Sequence, residues 1–223
     1  MNISNNILRE CLGNVYFING TAYAGKSTMT RMLAKKYDML YCGENYHSAL
    51  ADRAATPDRQ PNLCYFQTMR DWQEFINRTP EEYARWVHGV SAEAAEFEIA
   101  ELLRLSAAGR RIIVDTNISV ADLAEISDYH HVAIMLSPQW MSIDMFFVRE
   151  DEDKQFILRQ LQQAEDPEKA MDNYRACIAM VNSEAVFQEF QNSGFFTLYR
   201  EDTDRDTRIE VLAELERHFR LIP

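Results

Sequence analysis

Only four cysteines occur in this chain, at positions 11, 42, 64 and 177. They form no C-x-x-C pair and no Cys/His spacing suited to zinc, so buried free thiols are the expectation. The five histidines, His47, His88, His130, His131 and His218, fall into no H-E-x-x-H or similar pattern, which argues against a protein-built metal centre. Glycine and proline are scarce, at 7 and 6 residues. Without a Gly/Pro-rich linker, a repeat or a low-complexity stretch, nothing cuts the 223 residues into independent units. One domain over residues 1–223 with a sizeable core is expected. Positive charge is in deficit, since 23 Lys and Arg stand against 35 Asp and Glu for a net charge of −12. That balance opposes a broad grip on nucleic acid or anionic lipid and points to small-molecule partners. Long apolar runs are missing as well. No stretch approaches the roughly 18 residues of a membrane span, and the opening MNISNNILRECLG lacks the basic-then-apolar order of a secretion signal. The expectation is a cytoplasmic protein with no membrane partner. Oligomeric state is not encoded in any recognisable pattern.

What the chain does have is alternation. Short apolar runs rich in β-branched and aromatic residues lie at Val15 to Asn19, Met39 to Cys42, Arg111 to Asp115, His131 to Leu136 and Phe195 to Tyr199. Helical patterns separate them, which predicts an α/β fold with a parallel five-stranded sheet covered by helices on both faces. Thr79-Pro80, Ser137-Pro138 and Asp166-Pro167 each set a capping side chain before a proline and predict helix starts. Ser91 is expected to open a helix that Gly109 closes. Residues 44–90 exceed what one crossover helix needs, and read as an insertion over one end of the sheet.

Between the first strand and the next helical pattern stands YFINGTAYAGKST, which fits G-x-x-x-x-G-K-[ST] with Gly20, Gly25, Lys26 and Ser27. The glycines allow the backbone to curl so that successive N–H groups face a phosphate, and the following helix adds its positive N-terminal end. Lys26 is then placed for the β- and γ-phosphates and Ser27 for Mg²⁺. At average glycine usage, a chance match in a chain this long is on the order of one in a hundred. The nucleotide-binding set read from the motif is Gly20, Ala24, Gly25, Lys26, Ser27 and Thr28. A phosphate loop also calls for a carboxylate at the tip of a neighbouring strand to hold the metal's shell. RRIIVDTN offers Asp115, although an aspartate in that place also serves as a plain cap.

With this loop, IIVD and the order of elements, the chain resembles the P-loop kinases of small molecules: nucleoside monophosphate kinases, shikimate and gluconate kinases, and chloramphenicol phosphotransferase. The resemblance covers nearly the whole chain and is specific in the loop. It implies ATP and Mg²⁺ as cofactors, residues 44–90 as an acceptor-binding insertion, and residues 149–169 as a lid. It also implies that Glu44, 18 residues beyond Lys26, orients the acceptor hydroxyl and takes its proton, where the family has aspartate. Arg149 takes the place of the lid arginine, with Lys154 or Arg159 in support, in a segment whose Glu150 to Asp153 are all acidic. Backbone near Asp202 to Asp204 would pass the adenine. Arg53, Arg59, Arg70, Arg78 and Arg85 offer an anion clamp for the acceptor, while Trp72 and Trp86 suit core positions better than stacking. No N-K-x-D motif of GTPases, no signature loop of transporter ATPases and no AAA-sized subdomain is present. The expected function is transfer of the γ-phosphoryl group of ATP to a small metabolite or nucleotide. The alternative is a regulatory or interaction protein that binds nucleotide without transferring phosphate. Phe156, Ile157 and Leu161 leave a permanently packed amphipathic helix as the competing reading of the lid.

Overall fold

A computed structural model describes residues 3–148, 151–201 and 205–222. In chain order the elements are α1 (Asn5–Cys11), β1 (Val15–Gly20), α2 (Lys26–Tyr37), β2 (Leu40–Cys42), α3 (Ser48–Ala54), α4 (Tyr65–Thr68), α5 (Trp72–Ile76) and α6 (Pro80–Ser106). There follow β3 (Ile112–Asp115), α7 (Val120–Ile126), β4 (Val132–Leu136), α8 (Gln139–Asp144), α9 (Glu152–Gln162), α10 (Pro167–Val181), α11 (Glu184–Gln191), β5 (Phe196–Tyr199) and α12 (Arg208–His218). The five strands make one sheet in the order β2-β3-β1-β4-β5, and all four pairings are parallel.

Period-2 alternation sorts the strand side chains between two cores. Val15, Phe17, Ile112, Val114, Val132 and Ile134 pack with Leu102 of α6 and Leu123 of α7 on one face. Ile18, Ile113, Ala133 and Met135 pack with Leu33 of α2 and Leu215 of α12 on the other. Buried on both faces, the central strands are continuous apolar runs, which is why they were legible as parallel strands. A third core is wholly helical: Phe75 and Ile76 of α5, Tyr83 of α6, Leu161 of α9 and Tyr174 and Ile178 of α10.

One helix joins the helical core to the sheet. At 27 residues and 1.5 Å per residue, α6 spans about 40 Å, with Tyr83 in the third core and Ala95 and Leu102 against the sheet. Its start is held by a capping box, Thr79 accepting from the Glu82 amide and Glu82 from the Thr79 amide. Ser91 therefore lies inside this helix and opens none, because nothing between Pro80 and Ser106 interrupts the backbone ladder. Residues 44–90 hold α3, α4, α5 and the first part of α6, which runs on into the sheet layer. The start at Asp166-Pro167 is as expected, with Asp166 accepting from the Lys169 amide. At Ser137-Pro138 the helix begins one residue later, at Gln139, and Ser137 does not cap it. Three cysteines are buried, whereas Cys11 is exposed. No described helix is long and apolar enough to cross a membrane.

β1 leads through α2 to the edge strand β2, and the chain then returns through β3 and crosses to β4 on the far side of β1. In such open parallel sheets the crevice outside the carboxyl ends, where strand order reverses, is where ligands bind. The carboxyl ends of β1 and β3 carry the Gly20–Ser27 loop and Asp115.

Candidate functional site

The loop is shaped by its neighbours. Gly20 has φ +129, and a Cβ there would sit 1.9 Å from the Met135 carbonyl oxygen of β4, so no other residue fits. The Gly20 amide donates to Asn19 Oδ1 at 2.6 Å, while Asn19 Nδ2 donates to the Ile118 carbonyl at 2.6 Å. Thr21 Oγ1 accepts from the Ser137 amide at 2.7 Å, and Ser137 Oγ donates to the Ala22 carbonyl at 2.5 Å. Ser137 thus braces the loop instead of capping α8. Tyr23 sits at φ +64, a conformation that costs a non-glycine residue on the order of 1–2 kcal/mol. It is held by its own hydroxyl donating to the Met145 carbonyl at 2.9 Å and by Arg200 Nη1 donating to its carbonyl at 2.9 Å. Gly25, at φ +95, turns the chain into α2.

Lys26 folds over the loop, its Nζ donating to the carbonyls of Gly20 at 3.1 Å and Thr21 at 2.9 Å. Ser27 Oγ donates to Asp115 Oδ2 at 2.6 Å. Asp115 is 2% exposed, and burial pushes its carboxyl above the ordinary aspartate range against the pull of Lys26 and the Ser27 hydrogen bond, with Glu44 adding to the rise. Hydroxyl plus carboxylate is a hard oxygen pair that suits Mg²⁺, which keeps several waters and takes substrate phosphates as further ligands. Among the described residues no group of three His, Cys, Asp or Glu could cage a metal. A cation at Ser27 and Asp115 would thus lean on a ligand's oxygens.

A cleft of about 650 Å³ opens over the loop, lined by Gly20, Gly25, Lys26, Ser27, Thr28, Glu44 and Asp115 among others. These residues, far apart in sequence, are therefore brought together. Lys154 of α9 lines it too, its Nζ 5.5 Å from the Tyr23 ring and 5.2 Å from the Phe146 ring. Ala24 lines an adjoining cavity of about 440 Å³ with Gly25, Thr28, Leu198, Arg200, Arg205 and Val211. Arg149, Glu150 and Asp202 to Asp204 lie outside the described residues.

Other sequence candidates stand apart. None of the five insertion arginines lines the cleft. Arg53 bonds back to the Ala49 carbonyl, Arg70 pairs with Glu74, and Arg78 lies 3.8 Å over the Tyr65 ring. Trp72 packs 4.7 Å from Phe156 and Trp86 5.2 Å from Phe75, so both serve the helical core. Arg159 lies by Phe156. In the segment read as a lid, Leu161 is fully buried and Ile157 packs against the same core.

Sequence reasoning passed over Arg31, His88, Asn117 and Glu189, all lining the cleft, and Glu98, which supports it. Arg31 was findable as the residue one helical turn beyond Ser27. Glu98 was findable as a carboxylate inside the apolar stretch AEFEIAELL. Fully buried on α6, it accepts from Thr116 Oγ1 at 2.5 Å and the Asn117 amide at 3.3 Å. The Tyr46 hydroxyl lies 3.1 Å from its carbonyl and 3.4 Å from Oε2. Burial raises its pKa to about 7. Glu98 thereby ties the loop after β2, which carries Glu44, to the loop that follows Asp115 at the end of β3. No protein-family model, no curated protein and no solved structure matches this chain.

Proposed function

We propose that this protein is an ATP-dependent, Mg²⁺-assisted phosphotransferase acting on a small hydroxyl compound, in the manner of the small-molecule P-loop kinases it resembles. The observation that carries the reading is the Ser27 Oγ to Asp115 Oδ2 contact of 2.6 Å beside a lysine folded over the glycine loop. A glycine turn that merely linked strand to helix would have no need of either. When bound, the Mg²⁺ complex of ATP supplies an electrophilic γ-phosphoryl group and part of the charge neutralisation.

This chain's own residues would do the rest by position and charge. The Gly20–Ser27 backbone and the N-terminal end of α2 cradle phosphate oxygens. Lys26 exchanges its bonds to the loop carbonyls for bonds to phosphate, and Ser27 with Asp115 holds the metal's shell. Lys154 adds positive charge over the transferring group, while Glu44 accepts the acceptor's proton. The adjoining cavity, with apolar Leu198 and Val211 near the loop, suits the base. A protein that binds nucleotide without transfer is the second reading, favoured by the full burial of Leu161, since a lid must part from its core to open.

Measuring ADP release from MgATP with pooled acceptors, for the wild type and Lys26→Ala, tests the proposal. Acceptor-dependent release that the variant loses is expected. ATP binding without release in any pool would favour the second reading, and equal behaviour of both proteins would remove the phosphate-loop assignment.

A further inference from the structure

Resting on the phosphotransferase reading, we infer that Tyr23 is a positioning residue. Its hydroxyl is pinned to the turn after α8, and its ring holds the Lys154 ammonium beside the phosphate loop, where that charge meets the terminal phosphate of a nucleoside triphosphate. The first observation is the backbone. Three non-glycine residues among those described have positive φ: Tyr23, Asp38 and Arg220. Asp38 and Arg220 stand at the C-terminal ends of α2 and α12, where a left-handed residue commonly closes a helix. Tyr23 closes none. At φ +64 inside the loop it takes a conformation that glycine adopts freely and an aromatic residue rarely does. Local geometry asks for glycine at this place, so the reason for a tyrosine lies in its side chain.

That side chain joins separate parts of the site. The hydroxyl donates at 2.9 Å to the carbonyl of Met145, 122 residues further along the chain. The same carbonyl accepts from the Val148 amide at 3.2 Å, so the ring is tied to a closed turn. Arg200, just beyond β5, fixes the Tyr23 carbonyl through Nη1 at 2.9 Å. Segments that follow β1, β4 and β5 therefore meet at one residue, and a ring held at both ends has little freedom to turn. Lys154 rests against it, with Nζ 5.5 Å from the Tyr23 centroid and 5.2 Å from that of Phe146.

The kind of partner matters chemically. Asp151 is the one carboxylate paired with Lys154 among the described residues, and at 3.9 Å the contact is loose. Aromatic faces hold an ammonium through their quadrupole without neutralising it, and less tightly than a carboxylate does. The charge of Lys154 thus stays available to a phosphate oxygen, with no strong contact to break first. Lys26 needs no such help, because it lies on the carbonyls of its own loop. Lys154 comes from α9, which is anchored in the helical core through Leu161. Tyr23 joins the cleft end of that helix to the loop.

The test measures, by calorimetry on the full chain, affinity for the Mg²⁺ complex of a non-hydrolysable ATP analogue against affinity for MgADP, since the two differ by the terminal phosphate. Tyr23→Gly removes the ring and relaxes the loop. It should keep MgADP affinity within about threefold and lower the preference for the triphosphate about tenfold, the worth of one charge-assisted contact. Tyr23→Asn, a second ringless residue that tolerates positive φ, guards against a glycine variant that fails to fold and should behave alike. Tyr23→Phe keeps the ring and should lose no more than about threefold. Lys154→Ala should lose as much as Tyr23→Gly, and the double variant no more than either alone, because both remove one contact. An unchanged preference in the ringless variants would overturn the inference, as would losses that add in the double variant or a Tyr23→Phe loss as large as that of glycine. Equal weakening of both nucleotides would reduce Tyr23 to a structural part of the loop, and a wild type that binds neither would sink the inference with the loop assignment. ADP release by the wild type from MgATP with pooled acceptors keeps the two readings apart. The expected pattern of preferences without release would support the role of Tyr23 and sink the phosphotransferase reading.

Discussion

Glu98→Gln isolates one buried charge. Glu98 is fully buried and its carboxyl is raised by desolvation from the ordinary 4.5 to about 7, with Thr116, Asn117 and Tyr46 pulling the other way. A carboxyl whose pKa is higher in the folded than in the unfolded chain favours folding in its protonated form. Its contribution is fully present below pH 4.5 and is lost as pH rises through 7. At about 1.4 kcal/mol per tenfold change in proton affinity, ionising Glu98 costs the folded chain about 3 kcal/mol by pH 8. About 2.5 kcal/mol of that accrues between pH 5 and pH 8, which for a domain of this size is a fall in Tm of about 5–10 °C. Glutamine keeps the shape and can accept from the Asn117 amide, while its NH2 faces Thr116 Oγ1, which can turn to accept. Circular-dichroism melts of wild type and variant at pH 5, 6, 7 and 8 give the difference directly, since the other carboxylates cancel. The wild type should lose Tm across this range relative to the variant. Parallel curves would refute the buried-charge argument and leave Glu98 as an ordinary hydrogen-bond acceptor.

Gly20→Ala places a methyl 1.9 Å from the Met135 carbonyl in a φ +129 backbone, so soluble yield and Tm should both fall sharply, by more than the ~1 kcal/mol of an ordinary glycine replacement. A wild-type melting curve would show that β1 and β4 can part there at little cost. Lys26→Ala should leave Tm within a few degrees, because the side chain bonds only to loop carbonyls, yet weaken ATP binding about 10–100-fold by calorimetry. Unchanged affinity would detach Lys26 from the phosphates. Asp115→Asn should raise the Mg²⁺ concentration for half-maximal activity more than the ATP requirement, and an unaltered Mg²⁺ dependence would reduce Asp115 to a partner of Ser27. Amide exchange in α9 should be fast without ligand if the segment is a lid, whereas strong protection around Leu161 would establish it as permanent core.

Local rules made some of this protein readable in advance. All five strands lie within a residue of their apolar runs, and the three central ones were the plainest, because strands buried on both faces need uninterrupted hydrophobic sequence. The Thr79 and Asp166 caps worked because an N-cap depends on a few adjacent residues. The glycine–lysine–serine loop was equally local, and its glycines are fixed by backbone angles that sequence reports directly. Tertiary contact decided the remainder. Ser137 has the right neighbour for a cap but braces the Ala22 carbonyl, since the loop brought there from 115 residues away needs a donor. The arginines looked like a clamp by count, yet their direction was set by Ala49, Glu74 and the Tyr65 ring. Glu44, Asp115 and Glu189 share one cleft only because the strand order β2-β3-β1-β4-β5 brings the loop after β2, the end of β3 and α11 together. Sequence set which residues could do the chemistry; the crossing of the chain at β1 set which of them meet.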